Sequence, residues 1–169
     1  MPRTDQGVNH ERYRVIPRTL IFVTRGESVL LIRGAPTKRL WANRYNGIGG
    51  HIERGETVLA AARRELDEEA GIQAEALRLV GTLLVDADEN TGICLFILRG
   101  AYAAGMPAAS KEGHPEWVGL AQLEGLPQVE DLNVILPRVL AAKSGDAPFS
   151  ARSFYDQDER LQVVFDEVD

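Results

Sequence analysis

Between Gly49 and Ile72 the chain reads GGHIERGETVLAAARRELDEEAGI, a glycine-rich loop that runs directly into a helical segment carrying Glu65, Glu68 and Glu69. No other stretch constrains the fold as strongly. Thr57 is suited to accept hydrogen bonds from the first helical turn, and Gly71 supplies the stop, which predicts a helix over Thr57–Ala70. Leu59, Ala62, Leu66 and Ala70 recur at helical spacing and predict one buried stripe, so this helix must lie on a larger apolar surface. At about 100° per residue, Glu65 and Glu69 differ by only about 40° and sit one turn apart, with Glu68 about 60° beyond Glu65. Like charges at that spacing cost a few tenths of a kcal/mol, which an ion pair from Arg64 to Glu68 offsets in part. Taken alone, the carboxylates fit a solvated helix face or a hard-oxygen cage for Mg²⁺ or Mn²⁺.

The remainder supplies the surface. Leu20–Val23 and Val29–Ile32 are β-prone runs around the turn signal RGES, predicting a hairpin. Further strands are expected at Leu77–Val85, at Ile93–Leu98 and in the short run WVGL from Trp117. FSARSFYDQDERLQVVFDEV predicts a second hairpin. Asn133–Lys143 has helical character despite Pro137, and Arg33–Arg54 reads as a long loop without helical or strand period. The expected fold class is α/β, a mixed sheet with helices on both faces, formed by residues 13–169 behind a flexible segment, 1–12.

Charge and cysteine use narrow the function classes. With 25 acidic against 19 basic residues and a net charge of −6, the chain is not expected to bind duplex nucleic acid through its phosphates. A small polyanion remains open, because a bound cation inverts the local field. The single cysteine, Cys94, allows no disulfide within the chain and suits a reducing cytoplasm. The first residues contain no apolar h-region, and no apolar run approaches membrane-spanning length.

Gly50, five residues, Glu56, seven residues, Arg64-Glu65-Leu66, one residue, Glu68-Glu69, one residue, Gly71-Ile72: this spacing matches every fixed position of the Nudix box. By ordinary residue frequencies such a match arises by chance on the order of once in ten million chains. From about Arg14 onward the chain resembles the Nudix hydrolases. That resemblance implies an α/β/α sandwich and metal-dependent hydrolysis of nucleoside diphosphate derivatives. It implies Glu65, Glu68, Glu69 and the Gly49 carbonyl as metal ligands. Gly50, Glu56, Arg64 and Gly71 would then shape the loop and orient the carboxylates. A phosphoanhydride is shielded by its own charge, so the chemistry calls for a cation to neutralise phosphoryl oxygens and for a carboxylate base. Glu65 is one candidate base and Glu112 another, with Glu116 as its rival; Glu68 belongs to the same catalytic set.

Within the family, RYNGIGGHIERGE is similar to the oxidised-purine nucleoside triphosphatases, whose matching asparagine contacts the base; here it is Asn46. PQVEDLNVILP resembles their base-reading acidic pair, here Glu130 and Asp131. His51 stands where a phosphate-contacting lysine is common, and Gln128 where a base-stacking tryptophan is common. Phe22, Tyr45 or Trp117 are the candidate pocket walls, with the core as the alternative place for Phe22 and Trp117. Arg33, Lys38, Arg39 and Arg44 are placed to draw in phosphates, Arg33 foremost. The expected substrate is therefore a nucleoside triphosphate such as 8-oxo-dGTP, cleaved to monophosphate and pyrophosphate by a monomer or homodimer. ADP-ribose, other nucleotide sugars, dinucleoside polyphosphates, NADH and a capped RNA are the alternatives. A non-catalytic nucleotide sensor is a further one, although sensors of this fold commonly lose box glutamates and this chain keeps all of them.

Overall fold

The computed structural model describes residues 7, 9 and 11–166, so most of the expected flexible segment 1–12 lies outside the described residues. Strand β1 (Arg14–Arg25) and strand β2 (Ser28–Gly34) form the expected hairpin. Their centres, Leu20–Val23 and Val29–Ile32, are buried without interruption, as strands covered on both faces must be. Strand β3 (Tyr45–Asn46) follows, then helix α1 (Val58–Glu65), β4 (Ile72–Asp86), β5 (Thr91–Gly105), β6 (Gly113–Gly119), helix α2 (Leu132–Ala141), β7 (Phe149–Tyr155) and β8 (Leu161–Phe165). A single mixed sheet runs β3-β2-β1-β5-β4-β7-β8, with β6 on the other edge of β2. The β1–β5 and β4–β7 pairs are parallel and the others antiparallel.

Two cores flank this sheet. On one face Phe22, Leu83 and Ile97 pack with Leu132, Ile135, Leu136 and Val139 of α2. On the other, Ile21, Val23 and Leu98 pack with Ala62, Leu66 and Ala70. Helices on both faces of a mixed sheet are thus what the hydrophobic pattern required.

The carboxylate helix differs from expectation in two ways. After Glu65 it widens into a π-helical turn, Leu66–Ala70, where Gly71 N–H bonds both Asp67 O and Leu66 O. Such turns recur at functional sites, and this one carries Glu68 and Glu69, two of the four box glutamates. Gly71 closes it with φ 67°, a conformation that favours glycine. The buried stripe also shifts. Leu59 is 37% exposed, whereas Ala61 and Glu65 are buried. The apolar contact in the first turn comes from Val58 instead, and two adjacent alanines let the helix approach the sheet closely.

The long loop is more ordered than its sequence suggests. Residues 48–52 run beside β1, with Ile21 N–H to Ile48 O at 2.7 Å, Thr19 N–H to Gly50 O at 2.8 Å and Ile52 N–H to Pro17 O at 3.1 Å. No side-chain period announces this ribbon, because main-chain groups hold it. A 3₁₀ turn at Leu120–Gly125 was likewise not foreseen. No described helix is long and apolar enough to cross a membrane.

Candidate active site

The ribbon beside β1 delivers Gly49 and Gly50 to the carboxylate helix. Gly49 has φ 152°, and a side chain there would collide with the Thr19 carbonyl. A Cβ on Gly50 would lie 2.6 Å from Glu65 Oε1, so only glycine lets the backbone pass over that carboxylate. From the other side, the Gly49 N–H donates to Glu69 Oε2 at 3.2 Å.

Arg64 organises the rest. Its Nε and Nη2 donate to Glu56 at 2.7 and 2.9 Å, and Nη1 donates to Glu65 Oε1 at 2.8 Å and Glu68 Oε2 at 3.1 Å. Nη2 also reaches the His51 carbonyl at 3.0 Å, which fastens the loop to the helix. Glu56 further accepts the Glu53 N–H at 2.9 Å. The Arg64 hydrogen bonds, then the Glu53 N–H, hold the Glu56 carboxyl down at about 2. Glu56 therefore favours the folded state above about pH 4.5, and that contribution fades as pH falls toward 2.

Among the described residues no three His, Cys, Asp or Glu side chains converge into a closed metal cluster. Glu65 and Glu68 are turned onto Arg64 and Glu69 onto the Gly49 N–H, so the oxygens line one wall of a cleft rather than a finished cage. Glu69 is held in an unfavourable place for a charge. Burial, then the charges of Glu65 and Glu112, push its carboxyl up to about 7 against the Gly49 N–H and Lys38. This gives a stability prediction for the metal-free protein. The unfolded chain releases this proton near pH 4.5 and the folded chain near pH 7, so the native state binds more protons in between. The Glu69 contribution to stability is then fully present below about pH 4.5 and is lost, by about 1–3 kcal/mol, as pH rises through 7, after allowance for solvent screening. Thermal unfolding with a chelator across that range tests this; a loss of the same size in Glu69→Gln would refute it.

The cleft has a volume of about 720 Å³. Gly49, Gly50, Glu65, Glu68, Glu69 and Glu112 line one region of it, and Asn46, His51, Glu130 and Asp131 also face it. Glu112 bonds Lys38 at 2.7 Å and lies close enough to Glu69 to act on its charge. Its rival Glu116 does not line the cleft; it accepts from Tyr45 Oη at 2.8 Å and pairs with Arg33 Nε at 3.4 Å. Arg33 is therefore a correction: it alternates away from the cleft on β2 and is spent on Glu116. Lys38 and Arg44 do line the cleft, whereas Arg39 does not.

The expected aromatic walls also need correction. Phe22 is fully buried in the core, Tyr45 is buried beneath Glu116, and Trp117 packs on the opposite face against Tyr102 and Arg25. The aromatics that line the cleft are Trp41 and Tyr155, 52% and 59% exposed. Both escaped the sequence reading. Trp41 sits in an irregular loop with φ 59°, and Tyr155 ends a strand far along the chain from the box. Tyr155 Oη donates to Glu130 Oε2 at 3.1 Å, which joins the terminal hairpin to the acidic pair. Asp131 is raised by burial first and then by Glu130, so its carboxyl holds a proton more readily than a free aspartate. Asn46 Oδ1 accepts the Gly47 N–H at 2.8 Å, which leaves its amide NH₂ as the group to offer a ligand.

Against known proteins, the NUDIX domain family model matches residues 14–142. The oxidized purine nucleoside triphosphate hydrolase of Mus musculus is 32% identical over 154 residues, which are 89% of this chain and 94% of that protein. An NAD-capped RNA hydrolase of Pseudomonas aeruginosa is 28% identical over 144 residues, 82% of this chain but 49% of the longer relative. Among solved structures, the mutator MutT protein of Bacillus halodurans superposes with a TM-score of 0.75 at 23% identity, covering 90% of this chain and 98% of that one.

Proposed function

Since the chain belongs to the Nudix hydrolase family, we propose that it hydrolyses a nucleoside triphosphate, with an oxidised purine as the favoured base, to nucleoside monophosphate and pyrophosphate. One observation carries this reading. A single cleft joins the box carboxylates to a base-sized region holding Asn46, Glu130, Asp131, Trp41 and Tyr155. The similarity to the mouse enzyme over nearly its whole length supports the same substrate class. The catalytic unit is proposed to be the whole of 13–169, since the terminal hairpin contributes Tyr155 to the cleft.

The donor set fits Mg²⁺ or Mn²⁺. Three carboxylates and the Gly49 carbonyl are hard oxygen ligands, and neither a thiolate nor a histidine cluster competes with them among the described residues. Glu65, Glu68, Glu69 and Gly49 would hold the cation, which neutralises phosphoryl oxygens and acidifies water. Glu65 is pinned by Arg64 beneath Gly50 and is proposed as a ligand. Glu112, on a loop across from Glu69, is proposed as the base that takes the proton as water oxygen bonds phosphorus and the phosphoanhydride bond breaks. Glu112→Gln should lower kcat by about 10²–10⁴-fold at saturating metal. A parent-like kcat would move the base to Glu65, tested by the same comparison on Glu65→Gln.

At the other end, the Glu130–Asp131 carboxyl pair presents acceptors to the amino and ring N–H groups of a purine edge. The Asn46 amide adds a donor, and the two aromatics offer stacking faces. A chromatographic product screen with Mg²⁺ tests the substrate. It covers ordinary and oxidised nucleoside triphosphates, ADP-ribose, NADH and a diadenosine polyphosphate. Preferential release of the oxidised-purine monophosphate is expected. Asn46→Ala should change the ranking of bases by about tenfold while moving turnover less; an unchanged ranking removes Asn46 from the base site.

A further inference from the structure

The cleft holds four basic side chains, Arg18, Lys38, Arg44 and Lys111. Lys38 is paired with Glu112, and Arg44 donates to the Gln128 carbonyl at 2.9 Å. Among the described residues neither Arg18 nor Lys111 has a carboxylate within ion-pair distance. Arg18 is the more constrained of the two. It is half-buried on β1, where its backbone bridges to His51, and its Nε donates to His51 Nε2 at 3.2 Å. The guanidinium is the donor of this bond and the ring nitrogen its acceptor. His51 thus acts as a strut that occupies Nε and leaves the two terminal nitrogens of Arg18 free for a ligand.

The location gives this pair a use. Arg18 directly precedes Thr19, whose N–H holds the Gly50 carbonyl, and His51 O is fastened to Arg64. The Arg18 fork is therefore built onto the same ribbon that carries Gly49 and Gly50 past Glu65 and Glu69. A planar fork of two N–H donors, unneutralised and oriented by a neighbour, matches the paired oxygens of a phosphate group. Resting on the triphosphate reading, we propose that Arg18, held by His51, is a specificity-determining residue that grips a substrate phosphate outside the metal ligands. It selects chains with a free terminal phosphate over substrates whose phosphates are esterified at both ends. Arg18 is the binding group, and His51 is a positioning residue that acts through it.

Calorimetric binding to the full chain tests this with two probes, inorganic triphosphate and ADP-ribose. Arg18→Gln is expected to weaken inorganic triphosphate about tenfold and to leave ADP-ribose within about twofold. His51→Ala should cause a smaller loss on the same probe, because the fork remains but is no longer held. Placing a cation beside the lost one, with His51→Lys in the Arg18→Gln background, should recover most of the affinity. In steady-state assays Arg18→Gln should raise KM for a triphosphate substrate with kcat changed less than threefold. Undiminished binding of inorganic triphosphate by Arg18→Gln overturns the proposal, as does an equal loss for both probes, which would mean a general structural role. Circular dichroism and Arg18→Lys, which should retain part of the affinity, exclude misfolding as the cause. Inorganic triphosphate carries no base, so this outcome is independent of the product screen. Turnover of ADP-ribose alone would retire the triphosphate reading, whereas the probe comparison judges Arg18 itself.

Discussion

Glu69→Gln is expected to fold, to lose about 10²–10⁴-fold in turnover at saturating Mg²⁺, and to lose the metal-dependent rise in thermal stability. The substitution keeps the side chain's shape and an oxygen able to accept the Gly49 N–H, so the loop contact at 3.2 Å survives. It removes the one box carboxyl that burial and two neighbouring glutamates drive up to about 7. A cation held by Glu65, Glu68 and Glu69 would relieve this repulsion and take the place of the proton, so metal affinity in the unmodified protein should fall as pH drops below 7. The amide cannot supply that charge. Without metal, the variant should be more stable than the parent above pH 7 by about 1–3 kcal/mol, because it no longer carries a charge at a disfavoured site. Activity and metal-induced stabilisation equal to the parent's would sink the assignment of Glu69 as a metal ligand.

The second large effect is at Arg64. Arg64→Ala is expected to lower stability by about 2 kcal/mol and turnover by about 10–100-fold. The stability loss is argued from Glu65, only 7% exposed and under the Gly50 backbone, which would keep a buried charge without its cation. The turnover loss follows from orientation. One guanidinium sets the positions of Glu65 and Glu68 and ties the His51 carbonyl to the helix, so its removal frees two proposed ligands and the loop together. Arg64→Lys should restore charge but not the simultaneous contacts to Glu56, Glu65 and Glu68, and so recover stability more than rate. Denaturant unfolding beside kcat at saturating metal separates the two. A parent-like rate in Arg64→Ala would show that the carboxylates need no such support.

Local and tertiary determinants divide along a physical line. The box itself is a local object: a capped helix, a terminating glycine, and carboxylates one turn apart lie within twenty-three residues, and side-chain periodicity records them directly. The strands of the central sheet were legible for the same reason, since burial on both faces demands continuous apolar runs. Residues 48–52 were not, because main-chain hydrogen bonds to β1 hold them and such bonds leave no mark on side-chain type. Which of Glu112 and Glu116 faces the carboxylates is set by strand alternation on β6 and the loop before it. Glu112 lies in the turn before β6, whereas Glu116 lies within the strand and turns to Arg33 and Tyr45 instead.

The base end of the cleft was decided still further from local sequence. An exposed aromatic in a loop and one at a strand end carry no periodic signal, so Trp41 and Tyr155 became visible only when the fold closed. The parallel pairing of β4 with β7 is what carries Tyr155 to Glu130. Arg18 shows the same limit, being one basic residue among many until the ribbon sets His51 beside it. The sequence by itself determined the family, the fold class and the proposed metal-binding chemistry, because these rest on spacing along one helix and on burial patterns along single strands. Only the tertiary structure decided what surrounds the carboxylates, because a cleft is made of residues distant in the chain whose meeting depends on strand order, register and side-chain phase.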